Sequence, residues 1–153
     1  MMVNKHNIKN LKPTKNSRYK QGYVNPKSCK KLISTLSNEP IIYRSSYELK
    51  FINWLEQNKN VKQWGSECLS IPYYYIDEKV HQYHPDYFVE FINGDKLIVE
   101  IKPYNQTQKP VNENCWAWKE YTKNMCKWKA AQEFCKSKGY QFKVLTEKTI
   151  NML

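Results

Sequence analysis

Apolar and polar positions alternate most clearly between Val89 and Ile101. Leu97, Val99 and Ile101 share one face of an extended segment, and Glu100 and Lys102 share the other, because successive strand side chains point to opposite sides. Val89–Phe91 reads as the preceding strand, and Asn93-Gly94 supplies the turn between the two. Glu67–Ile76 reads as an earlier strand that returns through Asp77-Glu78-Lys79 to a long strand over Val80–Val89. Together these predict an antiparallel meander. Upstream the period changes: Tyr47, Phe51 and Leu55, with Ile52 beside them, predict a helix over Tyr43–Leu55. Trp118, Tyr121, Met125, Trp128 and Cys135 predict a second helix, with Gln132 interrupting the stripe and Gly139 as its C-cap. Tyr140–Thr146 then forms the last strand, parallel to the Glu100 strand because a helix joins them. The mixture of elements is α/β (α+β).

Composition divides the chain. Residues 1–39 hold nine Lys or Arg and one acid, Glu39, with Pro13 and Pro26 breaking any pattern. They read as a basic arm with a short helix at Ser28–Leu36, and residues 40–153 as one domain. The 153 residues carry a formal charge of +11 and a pI near 9.4. That excess points to a polyanionic partner, bound in a salt-dependent way if the partner is nucleic acid. Twelve Tyr and five Trp offer stacking surfaces for unpaired bases, though most are expected in the core because few other large apolar residues are available. Cys29, Cys68, Cys115, Cys126 and Cys135 form no CxxC pair, which argues against structural zinc. Their odd number and the absence of a signal-like segment fit reduced thiols in a cytosolic setting. No apolar run approaches a membrane span, and no membrane partner is expected.

The candidate chemistry is acidic. His84-Pro85-Asp86 precedes Glu100-Ile101-Lys102, which supplies two carboxylates for a hard divalent cation and a lysine for a nucleophile or leaving group. Mg²⁺ takes oxygen ligands and keeps several waters, so two carboxylates and phosphate oxygens suit it. The geometry depends on the turn. A two-residue Asn93-Gly94 loop pairs Tyr87 with Glu100 and turns Asp86 to the wrong face. A three-residue loop, Ile92-Asn93-Gly94, places Asp86 opposite Glu100. Both loops are common; a catalytic site requires the second, or a kink near Pro85. Glu48 is either a third carboxylate of this site, a capping-box partner of the Ser45 N–H, or an ion-pair partner of Arg44. Lys119, Lys123, Lys127 and Lys129 lie off the second helix's apolar stripe, facing phosphates or solvent. His84 is assigned a structural hydrogen bond.

The order Tyr43-Arg44-Ser45-Ser46-x-Glu48, Val61-Lys62-Gln63-Trp64, Ser66-Glu67, Ile71-Pro72-Tyr73, Tyr83-His84-Pro85-Asp86-Tyr87, Val99-Glu100-Ile101-Lys102-Pro103 and Phe142–Glu147 resembles the TnsA-like branch of the PD-(D/E)XK nucleases. More narrowly, it is similar to the head-completion nucleases of T-even bacteriophages. The resemblance implies a restriction-endonuclease-like core, a central mixed sheet of about four strands flanked by helices, with an antiparallel hairpin carrying the site. It implies Glu48, Asp86, Glu100 and Lys102 as catalytic residues. Asp86, Glu100, the Ile101 carbonyl and Glu48, directly or through water, would hold Mg²⁺, with Mn²⁺ as a substitute. Arg44, Lys119, Lys123 and Lys127 are candidate DNA contacts. The implied activity is endonucleolytic trimming of double-stranded DNA with little sequence specificity, leaving 5′-phosphate and 3′-hydroxyl ends, during head completion. Head, portal or neck proteins and a second copy of the chain are the implied partners, first in the host cytoplasm and then in the virion. Two alternatives stand beside it: an inactive DNA-binding head-closure protein, and a transposase or resolvase subunit. A TnsA-type transposase would be expected to carry a further C-terminal domain.

Overall fold

The computed structural model describes residues 21–34 and 39–153. Ser45 caps helix α1 (Ser46–Gln57), its hydroxyl accepting from the Glu48 N–H at 3.3 Å. This satisfies one of the donors that every helix leaves free in its first turn. Phe51, Ile52 and Leu55 form the buried face. The helix starts later than the apolar spacing predicts, because Ile41–Tyr43 is extended as strand β2 and pairs antiparallel with β1 (Gly22–Val24). At Gly22 an added Cβ would lie 2.6 Å from Tyr43 Oη, so the Tyr43 ring would have to shift.

Residues 21–34, assigned by composition to the basic arm, pack against the domain. Glu56, near the end of α1, accepts from the main-chain N–H groups of Lys30 and Lys31 at 2.6 and 3.1 Å. It also accepts from the Trp64 indole at 2.7 Å. Leu32 is buried and bridges to Trp64. The helix expected over Ser28–Leu36 is replaced in its described part by a 3-10 turn at Pro26–Ser28 and this extended crossing. Main-chain groups that a helix would use internally are bound instead by Glu56 and Trp64. Residues 35 and 36 lie outside the described residues, as do 1–20.

The central sheet has the order β3 (Val61–Ser66), β6 (Tyr87–Phe91), β7 (Lys96–Ile101), β8 (Gln141–Leu145). The first three are antiparallel; β8 lies parallel to β7, as the crossover through helix α2 (Trp116–Lys138) demands. Gly139, with φ of 73°, ends that helix in the left-handed conformation. The short helix α3 (Glu147–Ile150) closes the chain with Ile150 buried.

The meander prediction needs correction. The strand expected over Glu67–Ile76 shortens to β4 (Ile71–Tyr74), and the one expected over Val80–Val89 splits into β5 (Val80–Tyr83) and β6. β4 and β5 form a separate two-stranded ribbon that packs on α2. Pro85 causes the split: it lacks an N–H and restricts the residue before it. The carbonyl of Asp86 is then taken by the N–H of Glu67 at 2.9 Å, where Glu67 turns with φ of 48°.

Trp64, Tyr87, Phe51, Leu55 and Val99 are almost fully buried between α1 and the sheet, Ile98 is buried on the sheet's opposite face, and together they form the centre of the core. On α2 the buried face is Asn124, Trp128, Ala131 and Cys135, while Trp118, Tyr121 and Met125 of the predicted stripe are only partly covered. No described helix is long and apolar enough to cross a membrane.

Candidate active site

The turn between β6 and β7 decides which face Asp86 takes. Tyr87 pairs with Val99 and Glu90 with Lys96, the register of the three-residue loop. Gly94 takes φ of 93°, and its N–H donates to the Phe91 carbonyl at 3.0 Å while the Phe91 N–H donates to Asp95 at 2.9 Å. Asn93 fixes the loop by accepting from the Asp95 N–H at 2.9 Å. One step beyond Tyr87, Asp86 therefore stands opposite Glu100. The ladder has ended there, and Asp86 Oδ2 accepts from the Ile101 N–H at 2.7 Å, standing in for a strand carbonyl.

Glu100 is buried, 6 % exposed. Its Oε2 accepts from the Tyr83 hydroxyl at 2.7 Å, and its Oε1 lies 3.6 Å from Lys102 Nζ. Glu48 reaches the site from α1. Its Oε2 accepts from the N–H of Arg44 at 2.7 Å, so the cap closes one residue before the predicted Ser45. Arg44, Glu48, Asp86, Ile101, Lys102 and Gln106 line a cleft of about 310 Å³.

The acids repel one another. Burial, reinforced by Glu67 and Glu100, pushes the Glu48 carboxyl up to about 7 against the opposing pull of the Arg44 N–H and guanidinium. Burial, then Glu100 and Glu48, also raises Asp86, against Lys102 and the Ile101 N–H. For Lys102, burial acts downward, but Glu100 and Asp86 outweigh it and its pKa is raised. Buried like charges of this kind favour protonation of at least one carboxyl unless a cation offsets them.

The donor set fits a hard divalent ion. Asp86 Oδ1 carries no hydrogen bond among the described residues, and Ile101 lines the same cleft. No three Asp, Glu, His or Cys side chains among the described residues converge closely enough to hold an ion by themselves. A cation would therefore draw on water and phosphate as well, as Mg²⁺ commonly does.

Four further candidates separate. Arg44 lies in the cleft wall. Lys127 is held 5.7 Å from the Tyr83 ring centroid, and burial together with Lys102 lowers its pKa. Lys123 lies 5.8 Å from the Tyr75 ring. Lys119 is exposed and is not brought to the cleft. His84 places Nδ1 3.1 Å from the Leu69 carbonyl, a structural contact.

Sequence reasoning missed Tyr83, Glu67 and Gln106 as neighbours of the acids. Glu67 had a signal, a charged residue directly after a buried strand. Tyr83 had none, since the break at Pro85 hides its relation to Glu100.

Residues 58–147 match the model described as TnsA-like endonuclease N terminal. The chain is also 34% identical over 139 residues to the head completion nuclease of Enterobacteria phage T4, covering 80% of this chain and 91% of the relative.

Proposed function

This chain belongs to the TnsA-like endonuclease family, and on that premise we propose that it is a divalent-metal-dependent DNA endonuclease. It trims or processes double-stranded DNA ends with little sequence specificity during completion of a phage head. The observation that carries the reading is the cross-strand placement of Asp86 and Glu100, with Lys102 beside Glu100 and Glu48 across the cleft.

In this reading Asp86, Glu100, the Ile101 carbonyl and Glu48 hold Mg²⁺ or Mn²⁺. Held there, the ion would supply a lowered pKa for a water and positive charge against the scissile phosphate. Tyr83 fixes the rotamer of Glu100, and the Ile101 N–H fixes that of Asp86. Lys102, kept protonated by Glu100 and Asp86, serves as a cation. It orients the attacking water through its N–H donors and stabilises charge on the pentavalent phosphate. Arg44 and Lys127 contact flanking phosphates. The partners are double-stranded DNA and head, portal or neck proteins, with a second copy of the chain for double-strand cutting, first in the host cytoplasm and later in the virion.

The test is cleavage of linear, nicked and flapped duplexes in Mg²⁺, Mn²⁺ or EDTA, with Asp86→Ala and Lys102→Ala alongside. Metal-dependent cutting lost in both variants, with DNA binding retained by Asp86→Ala, is expected. Cutting that persists in Asp86→Ala rejects the site. DNA binding by the wild type without any cutting favours an inactive head-closure role.

A further inference from the structure

Beside the catalytic cleft lies a second cavity that the reaction as described does not use. It has a volume of about 220 Å³, lies between the Tyr104–Thr107 turn and the N-terminal half of α2, and shares Gln106 with the cleft. Gln108, Trp116, Glu120, Tyr121 and Asn124 complete the wall that matters here. Asn124 is only 5 % exposed, yet it lines this cavity. Its amide is thus presented to the cavity, where a ligand that bonds it takes the place of water. Trp116 is 74 % exposed at the first position of α2, a large flat surface left in water.

The chemistry of the wall selects the occupant. No Lys or Arg lines it, and its single charge is Glu120, so a phosphate is disfavoured. Four amides, Asn105 among them, and a carboxylate offer both donors and acceptors to the edge of a heterocycle, and the indole and phenol rings offer faces to stack on. The volume is below that of a usual ligand pocket, about 300–1,000 Å³, and suits one base rather than several. Through Gln106 the cavity opens next to the position of the scissile phosphate. We propose that it receives one unpaired nucleobase of the DNA strand being cut, so that the enzyme selects ends bearing a single-stranded extension. This deepens the nuclease reading and rests on it.

The experiment uses full-length protein carrying Asp86→Asn, which prevents turnover. Binding is measured by anisotropy to a blunt duplex and to the same duplex with a short 5′ or 3′ extension containing 2-aminopurine. An extension of one polarity is expected to raise affinity about tenfold, as stacking of one base does, and to quench the 2-aminopurine. Adding Trp116→Ala, a change at an exposed position, or Asn124→Asp, which keeps the shape but removes the amide donor, should bring the extended-to-blunt ratio close to one and restore the fluorescence. An unchanged ratio in both variants, or equal binding of blunt and extended duplexes in the Asp86→Asn parent, overturns the base pocket while leaving the nuclease intact. Failure of that parent to bind either duplex, with no cutting by the wild type, overturns the nuclease reading and the pocket with it.

Discussion

Glu48→Gln should stabilise the metal-free protein at pH 8 while abolishing its activity. The carboxyl of Glu48 moves from an ordinary 4.5 to about 7 in the folded chain. Its folded pKa lies above the unfolded one, so the folded state holds the proton more tightly. Stability from this group is full below pH 4.5 and is lost as pH rises through 7. At about 1.36 kcal/mol per pH unit the loss reaches at most about 3 kcal/mol by pH 8. Glutamine keeps an acceptor for the Arg44 N–H but has no charge to lose, so its advantage should be small at pH 5 and grow toward pH 8. Each kcal/mol corresponds to about 2–4 °C in Tm for a domain of this size. The assay is urea and thermal unfolding in EDTA at several pH values between 5 and 8, for the wild type and the variant. Asp86, raised in the same sense and coupled by charge to Glu48, will add to the difference. Addition of Mg²⁺ should restore wild-type stability at pH 8 more than that of the variant. A stability gap that stays constant from pH 5 to pH 8 would refute the argument, because it would show that Glu48 is not held against its neighbours.

Three further outcomes follow from the same geometry. Tyr83→Phe leaves Glu100 Oε2 buried without its donor, so unfolding in EDTA should cost about 1–3 kcal/mol less than for the wild type. Calorimetric titration should also show weaker metal binding; no change in either quantity removes Tyr83 from its positioning role. Gly94→Ala meets no atom within 4 Å but must adopt φ of 93°, a strain of about 1–2 kcal/mol. It should lower Tm without a clash, and an unchanged Tm would mean that the loop relaxes to another form. Lys127→Gln should weaken duplex binding at low salt and reduce the slope of log affinity against log salt by about one; an unchanged slope places Lys127 away from phosphate.

The hairpin and α1 were legible because their periods are clean and their caps local. Parity alone left two loops open, and the choice fell to Gly94 and Asn93, whose bonding closes the three-residue form. Strand β3 was harder to see. A bulge between Val61 and Gln63 sets its buried apolar residues, Val61 and Trp64, three apart rather than two. The break at Pro85 was visible as a kink but not as the end of one sheet and the start of another. Nothing local marks Lys127 as a neighbour of Lys102, twenty-five positions earlier; that contact exists only because α2 lies over the β4–β5 ribbon.

The acids are aimed by the atoms that finish secondary structure. Asp86 accepts the Ile101 N–H where the β6–β7 ladder runs out, and Glu48 accepts the Arg44 N–H where α1 begins. Each bond satisfies a donor that would otherwise be orphaned at the end of an element, and each fixes one carboxylate oxygen while the carboxyl as a whole stays raised by its neighbours. Structural and chemical roles therefore compete for the same side chain. A group chosen only as a cap would not be placed among other acids, and one chosen only as a ligand would not need the backbone bond. Glu100 lacks such a main-chain donor and takes the Tyr83 hydroxyl instead. It is thus the carboxylate whose orientation depends on the β4–β5 ribbon rather than on the hairpin. Changes in that ribbon or in the face of α2 beneath it should reach the site first through Glu100, leaving Asp86 in place.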